Sequence, residues 1–200
     1  MPGRNVGVDR YLGHSLVLDA HTYDWMQKIR TGQYFPPVPS VGFGTCPVSA
    51  NAITAVPFSV ARTMTIDRLA IEVTVAAAAG SVARLGIYKD GVDCYPGALV
   101  LDAGTVLVDA VAVVAAAIDQ QLTKGLYWLA LISDGTPWLP GVLASRINQR
   151  LGWRAGDITY PSGTFWLKAF AYAALPDPFT AGGTGMYFFL RTPLKLVSLD

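Results

Sequence analysis

Met64 to Ala76 reads MTIDRLAIEVTVA, and this stretch decides the fold class. Met64, Ile66, Leu69, Ile71, Val73 and Val75 take turns with Thr65, Asp67, Glu72 and Thr74. A two-residue period puts the apolar side chains on one face of a strand and the polar ones on the other. The alternation slips once near Arg68, which predicts a β-bulge. Outward from this stretch the same grammar repeats. Ala77-Ala78-Ala79-Gly80 is a small-residue turn, and VARLGIYK (Val82 to Lys89) is the next strand, closed by Asp90-Gly91. Tyr95-Pro96-Gly97 predicts another turn. Leu99 to Val108 predicts a strand broken at Asp102-Ala103-Gly104, and Val111 to Ile118 is apolar and β-branched at its start. GLYWLALI (Gly125 to Ile132) runs from the Lys124-Gly125 turn to Ser133-Asp134-Gly135.

Upstream, ITAVPFSV (Ile53 to Val60) contains Pro57, which suits an edge strand or a bulge. Downstream, Thr164 to Ala173 and Met186 to Val197 complete a set of about eight strands punctuated by Gly, Pro and Asp. No long amphipathic helix lies between them. The pattern predicts an all-β protein, an antiparallel β-sandwich of jelly-roll-like type, over 45–200. Thr136 to Ser162 is the exception. Its periodicity is poor, and it predicts a long loop with a helical turn over Val142 to Leu151.

The first 44 residues read as an N-terminal anchoring arm and connector. His14 to Arg30 fits either a short helix or an irregular apolar arm, with Trp25, Met26 and Ile29 grouped together. TGQYFPPVPSVGFG (Thr31 to Gly44) holds three prolines and three glycines, which exclude a helix and a central strand. It predicts an extended connector carrying Tyr34, Phe35 and Phe43. Too little chain precedes these aromatics to bury them, so Trp25, Tyr34, Phe35 and Phe43 are expected at an interface with another subunit.

Composition narrows the function classes. The chain has 200 residues, 52% hydrophobic and 11% aromatic, which excludes a disordered chain. Two cysteines exclude a disulfide scaffold, and Cys46 and Cys94 are expected as free thiols, with a single bridge between them as the alternative. A formal net charge of +1 speaks against a nucleic-acid partner. A membrane span needs about 20 consecutive apolar residues. The richest run, Val106 to Ile118, is interrupted by Asp109 and followed by Asp119 and two glutamines, so no membrane insertion is expected. The N-terminal MPGRNVGVDRYLGH has no apolar core of the signal-peptide kind. Only 14% of residues are charged, which implies that part of the surface faces protein rather than water.

Catalytic constellations are sparse. His14 and His21, with Asp19 and Asp24 nearby, lack the i, i+4 spacing of a helical zinc site, and no metal or other cofactor is expected. There is no GxSxG elbow, and no histidine lies outside the arm. Asp67, Glu72, Asp90, Asp93, Asp102, Asp109, Asp134 and Asp157 could supply a carboxylate pair, but most lie in turns, where Asp accepts backbone N–H groups. GGTG at Gly182 to Gly185 reads as a loop. No catalytic residue is assigned. Trp138, Trp153, Tyr160 and Arg154 form a candidate glycan-binding set, joined by Trp166, Asp134, Asp157 and Asn148. Rings stack on the C–H faces of a pyranose while polar groups bond its hydroxyls. The alternative is that these rings plug the core or a subunit interface.

Several motifs occur in order across Ala52 to Gly135. They are Val56-Pro57-Phe58, Thr65-Ile66-Asp67-Arg68-Leu69, Arg84-Leu85-Gly86-Ile87-Tyr88, Tyr95-Pro96-Gly97, Leu101-Asp102-Ala103-Gly104 and Gly125-Leu126-Tyr127-Trp128-Leu129-Ala130. Together they resemble a β-sandwich module of tailed-bacteriophage tail fibres and related virion surface proteins. The resemblance covers under half of the chain. It implies a non-enzymatic virion protein, assembled in the bacterial host cytoplasm and displayed on the particle for host attachment. It further implies partners among tail or capsid proteins and a homo-oligomer with a trimer as the usual form; the arm, with Trp25, Tyr34 and Phe35, is the expected attachment device, and the candidate glycan-binding set makes a host surface glycan the expected further partner. A head-decorating or head-spike role and a stand-alone carbohydrate-binding module remain as alternatives. The chain lacks the collagen-like repeat and heptad stalk of a long fibre.

Overall fold

The computed structural model describes residues 31–35, 44–143, 153–154, 157–161, 165–186, 188–190 and 194–199. Within them the protein is an antiparallel β-sandwich of 15 strands. Trp25 and Phe43 lie outside the described residues. Two sheets carry most of the core. One has six strands: β3 (Ala52–Val60), β5 (Val82–Asp90), β6 (Pro96–Leu107), β8 (Gly125–Ser133), β12 (Phe165–Ala169) and β13 (Thr184–Met186). Their order is β13-β12-β3-β8-β5-β6. The other has four: β1 (Tyr34–Phe35), β4 (Met64–Val73), β7 (Ala112–Leu122) and β15 (Leu194–Leu199), ordered β1-β15-β4-β7. A three-stranded sheet, β14-β9-β2, joins β2 (Gly44–Pro47), β9 (Trp138–Leu143) and β14 (Phe188–Leu190). β10 (Trp153–Arg154) and β11 (Asp157–Pro161) pair with each other.

The strand that decided the fold class behaves as its alternation requires. Ile66, Leu69 and Ile71 of β4 are fully buried, while Thr65, Arg68 and Glu72 are partly exposed. The slip near Arg68 is a bulge, where the pairing of β4 with β7 shifts register between Ile66 and Arg68. On the six-stranded sheet, Val56, Phe58, Leu85, Ile87, Leu129 and Leu131 form a second apolar face, none more than 2% exposed. Each apolar face alone would be wet, and a sandwich removes both from water.

Four details differ from the sequence reading. First, β3 is interior rather than an edge, with β8 on one side and β12 on the other. Pro57 is tolerated because the pairing with β12 stops at Ala55, so its missing N–H falls where no described ladder partner exists. Second, Asp102-Ala103-Gly104 does not break the strand. β6 runs on through these residues, with register shifts against β5 and with Gly104 at φ 77°. Third, Pro96 opens β6, and the turn lies just before it. Asp93 and Cys94 both adopt φ 56°, and the Gly91 N–H donates to the Tyr95 carbonyl at 2.7 Å.

Fourth, Thr136 to Ser162 is not a simple loop. It supplies β9, β10 and β11, and Val142 and Leu143 are in strand rather than in a helical turn. The rest of the expected turn, 144–151, lies outside the described residues. Met186 to Val197 likewise divides among β13, β14 and β15 in three different sheets. Between β13 and β14 the apolar run continues while the chain changes sheet, so periodicity does not mark that change; Arg191-Thr192-Pro193 separates β14 from β15.

Candidate functional site

Strands β3, β8 and β5 are buried on both faces. The outer face presents Ile53 and Ala55 from β3, Trp128, Ala130 and Ile132 from β8, and Tyr88 from β5. These residues align because the registers Ala55↔Ala130, Gly86↔Ala130 and Tyr88↔Trp128 put them on one side of the sheet. The segment after β12 covers them. Leu175 and Phe179 lie in the same buried cluster, with Tyr95, Leu99, Trp166, Phe170 and Tyr172 packed around it. The rings meet in tilted and edge-on contacts: Tyr88 with Phe179 at 5.2 Å, Tyr95 with Phe179 at 5.6 Å and Tyr95 with Trp166 at 4.9 Å.

This covering segment, residues 170–183, is a strap pinned at every turn. The Phe170 N–H donates to the Asn51 carbonyl at 2.9 Å, and the Tyr172 N–H donates to the Asn51 side chain at 2.9 Å. The Tyr88 hydroxyl donates to the Pro176 carbonyl at 2.8 Å. Asp177 accepts from the Leu99 N–H at 2.9 Å, and the Phe179 N–H donates to the Gly97 carbonyl at 3.0 Å. The Tyr95 hydroxyl donates to the Thr180 carbonyl at 2.9 Å and accepts from the Gly183 N–H at 3.1 Å. Gly86 is what lets Leu175 sit down. A Cβ at Gly86 would collide with Leu175 Cδ1 and lie 2.6 Å from the Leu101 carbonyl oxygen.

Asp102 is the polar centre of this face. Its carboxylate takes both bonds from one Arg84 nitrogen, at 2.8 and 3.0 Å. It also accepts the Gly104 N–H at 3.0 Å and the strap's Leu175 N–H at 3.3 Å. Burial, and then the charges of Asp102 and Asp177, push the Tyr88 phenol well above its ordinary range. The hydroxyl therefore stays protonated as a donor to the strap. Other carboxylates serve the scaffold in the same way. Asp90 accepts the Trp128 indole N–H at 2.8 Å, Asp109 the Gly80 N–H at 2.9 Å, and Asp134 the Val82 N–H at 2.8 Å. Asp67 pairs with Lys195 at 3.3 Å. No group of three metal-ligating side chains occurs among the described residues. Neither cysteine is in a disulfide, and burial pushes the Cys46 thiol up to about 11.

The glycan candidates divide. Trp138 begins β9, with Pro47 opposite on β2 and Val75 on its other side. Its backbone is fixed by bonds to Thr74 and Val75 at 2.8 and 2.9 Å, while its side chain stays 40% exposed. Trp153, Arg154 and Tyr160 come together in the β10–β11 hairpin, where Trp153 faces Pro161. The orientations of those three side chains lie outside the described residues. Trp166 belongs to the strap-covered cluster, its indole N–H donating to the Cys94 carbonyl at 3.1 Å. Of the interface candidates, Tyr34 and Phe35 form β1, paired with Lys195 and Leu194 at the edge of the four-stranded sheet. Tyr34 is 45% exposed and Phe35 half-buried.

The sequence reading missed the cluster around Tyr88, Trp128 and Phe179. The available signal was GLYWLALI, which is apolar on both faces and so requires cover on both. No protein-family model and no curated protein matches this sequence.

Proposed function

We propose that the protein is a non-enzymatic structural component of a phage or phage-like virion, displayed on the particle and serving host attachment at the tail tip or fibre. One observation supports this reading most. The motifs behind the resemblance fall on β3, β8, β5 and β6, four consecutive neighbours in one sheet, and on β4 of the facing layer. They therefore describe one contiguous piece of sandwich rather than scattered strand patterns. The heavy use of Asp side chains as backbone acceptors adds to it, because a rigid scaffold is what a particle component needs. Partners are other virion proteins, reached through the N-terminal arm, and further copies of the chain, three in the usual form of such modules. Fractionation of purified particles tests the reading. Recovery with tails supports it, recovery with heads selects a decorating or spike role, and absence from particles overturns both.

A second reading, a carbohydrate-binding module, is favoured by the exposed ring of Trp138 and by the gathering of Trp153, Arg154 and Tyr160 in one hairpin. Glycan-array binding by the isolated chain tests it. Loss of binding in Trp138→Ala and Trp153→Ala supports the site, and unchanged binding refutes it.

A further inference from the structure

The strap joins β12 to β13, which pair directly, Leu167 lying opposite Thr184. Its ends therefore leave and return at neighbouring points of one hairpin, and the chain between them is an Ω-loop laid across the sheet. Among the described residues it enters no strand ladder. Its backbone-to-backbone bonds are those of Phe170 with Asn51 and of Phe179 with Gly97, and its other bonds involve side chains. Only Leu175 and Phe179 are buried, while Ala171, Ala173, Ala174, Ala181 and Gly182 towards its ends are exposed. Gly182 sits at φ 83°, and a Cβ there would meet nothing but the tip of Lys168, so this end has room to pivot. Two polar atoms of the strap, Tyr172 Oη and Thr180 Oγ1, are buried without a hydrogen-bond partner. Each costs free energy in the closed position that contact with water removes.

We infer that the strap is a hinged lid, which lifts from the sandwich as one unit while every strand stays paired. The ladder between β12 and β13 holds its two ends, so lifting breaks no strand pairing. Shared partners make the motion all-or-none. Tyr88 touches the Phe179 ring at 5.2 Å and donates to the Pro176 carbonyl. Tyr95 touches the same ring at 5.6 Å and bonds both Thr180 and Gly183. Loss of Phe179 from its seat therefore loosens the bonds on either side of it, and Leu175 leaves the same cluster. Lifting uncovers an aromatic face made of Tyr88, Trp128, Tyr95 and Trp166. It also frees the polar groups that the strap now engages, the two tyrosine hydroxyls, the Asn51 side chain and the Asp102 carboxylate. In the closed position the strap is thus a built-in occupant that keeps this face from any other partner. The inference stands on the fold alone and is independent of the virion reading.

Native-state hydrogen exchange of the full wild-type chain, in a series of sub-denaturing urea concentrations, tests it. The hydrogen-bonded amides of Phe170, Tyr172, Leu175, Phe179 and Gly183 report on the strap, and those of β8 report on the sandwich. The strap amides are expected to exchange through one common opening, at least tenfold more populated than the opening of β8. Urea is expected to accelerate β8 exchange steeply and strap exchange only slightly, because lifting exposes far less surface than unfolding. Ala55→Cys supplies a second measurement, since Ala55 is fully buried on the covered face. In a variant shown folded by circular dichroism, its thiol is expected to be alkylated at the rate set by strap opening, with the labelled residue mapped by peptide mass. Strap amides that share the protection and the urea dependence of β8 overturn the inference, because the strap then leaves only on global unfolding. Strap amides that differ from one another more than tenfold overturn it too, because the strap then frays piecemeal. So does labelling at Ala55→Cys no faster than β8 opens.

Discussion

Replacing Gly86 with Ala tests how the strap is seated. The added Cβ meets Leu175 Cδ1 on one side and the Leu101 carbonyl oxygen at 2.6 Å on the other. The carbonyl belongs to the β5–β6 ladder and cannot retreat without breaking it, so Leu175 must lift. Overpacking of this kind costs about 1–3 kcal/mol, and the upper end applies because one neighbour is backbone. Leu175→Ala removes a side chain that is 6% exposed and leaves a cavity over Gly86, at a cost of about 2–3 kcal/mol. In the double variant the new methyl partly fills the cavity, so the two costs do not add. The expected coupling is about 1–2 kcal/mol in the favourable direction, within the range for residues in contact. Urea unfolding of the wild type, both single variants and the double variant measures it. For a unit of this size each 1 kcal/mol is about 2–4 °C in Tm. Additive costs within about 0.3 kcal/mol would refute the proposed seating of Leu175 on Gly86.

Other outcomes follow from the same face. Asp102→Ala removes the acceptor shared by Arg84, Gly104 and Leu175 and should cost about 2 kcal/mol in chemical unfolding, the partial exposure of the ion pair limiting the loss. Limited proteolysis of that variant should cut first within 170–183. Cys46 gives a pH dependence. Its folded pKa of about 11 lies above the ordinary 9.0, so its contribution is intact below pH 9 and is lost as pH rises towards 11. Cys46→Ala should therefore flatten the fall of Tm between those values, and the wild-type thiol should react slowly with alkylating reagents at neutral pH. Trp138→Ala removes a ring that is 40% exposed and otherwise buried, and should cost about 1–2 kcal/mol, so loss of glycan binding in that variant reports the site only where circular dichroism shows the chain folded.

The alternating strands were legible because each buries one face or both, and burial writes itself into residue order. β4 shows it best, down to the bulge at Arg68. The strap was not legible. Phe170, Tyr172, Leu175 and Phe179 are spaced irregularly, and their partners, from Asn51 to Tyr95, are distant in sequence. The fit of Leu175 over Gly86 depends on a missing side chain, which leaves no periodic trace. Pro57 misled because a proline reports only its own lost bond, and β12 happens to stop short of it. The strands inside Thr136 to Ser162 were hidden because they are short, and β9 and β11 carry Pro or Gly. Of the glycan candidates, the sequence grouped Trp166 with Trp138 by proximity in the chain, whereas the sheet carries Trp166 into the strap cluster.

In its proposed function this chain is a built-in part of a particle. Quantitative mass spectrometry of gradient-purified particles produced from the genome that encodes it, with heads and tails separated, tests that claim most directly. The expected result is the intact chain at a fixed copy number per particle, in the tail fraction. Its absence from particles, with the full amount recovered free in the lysate, would contradict it.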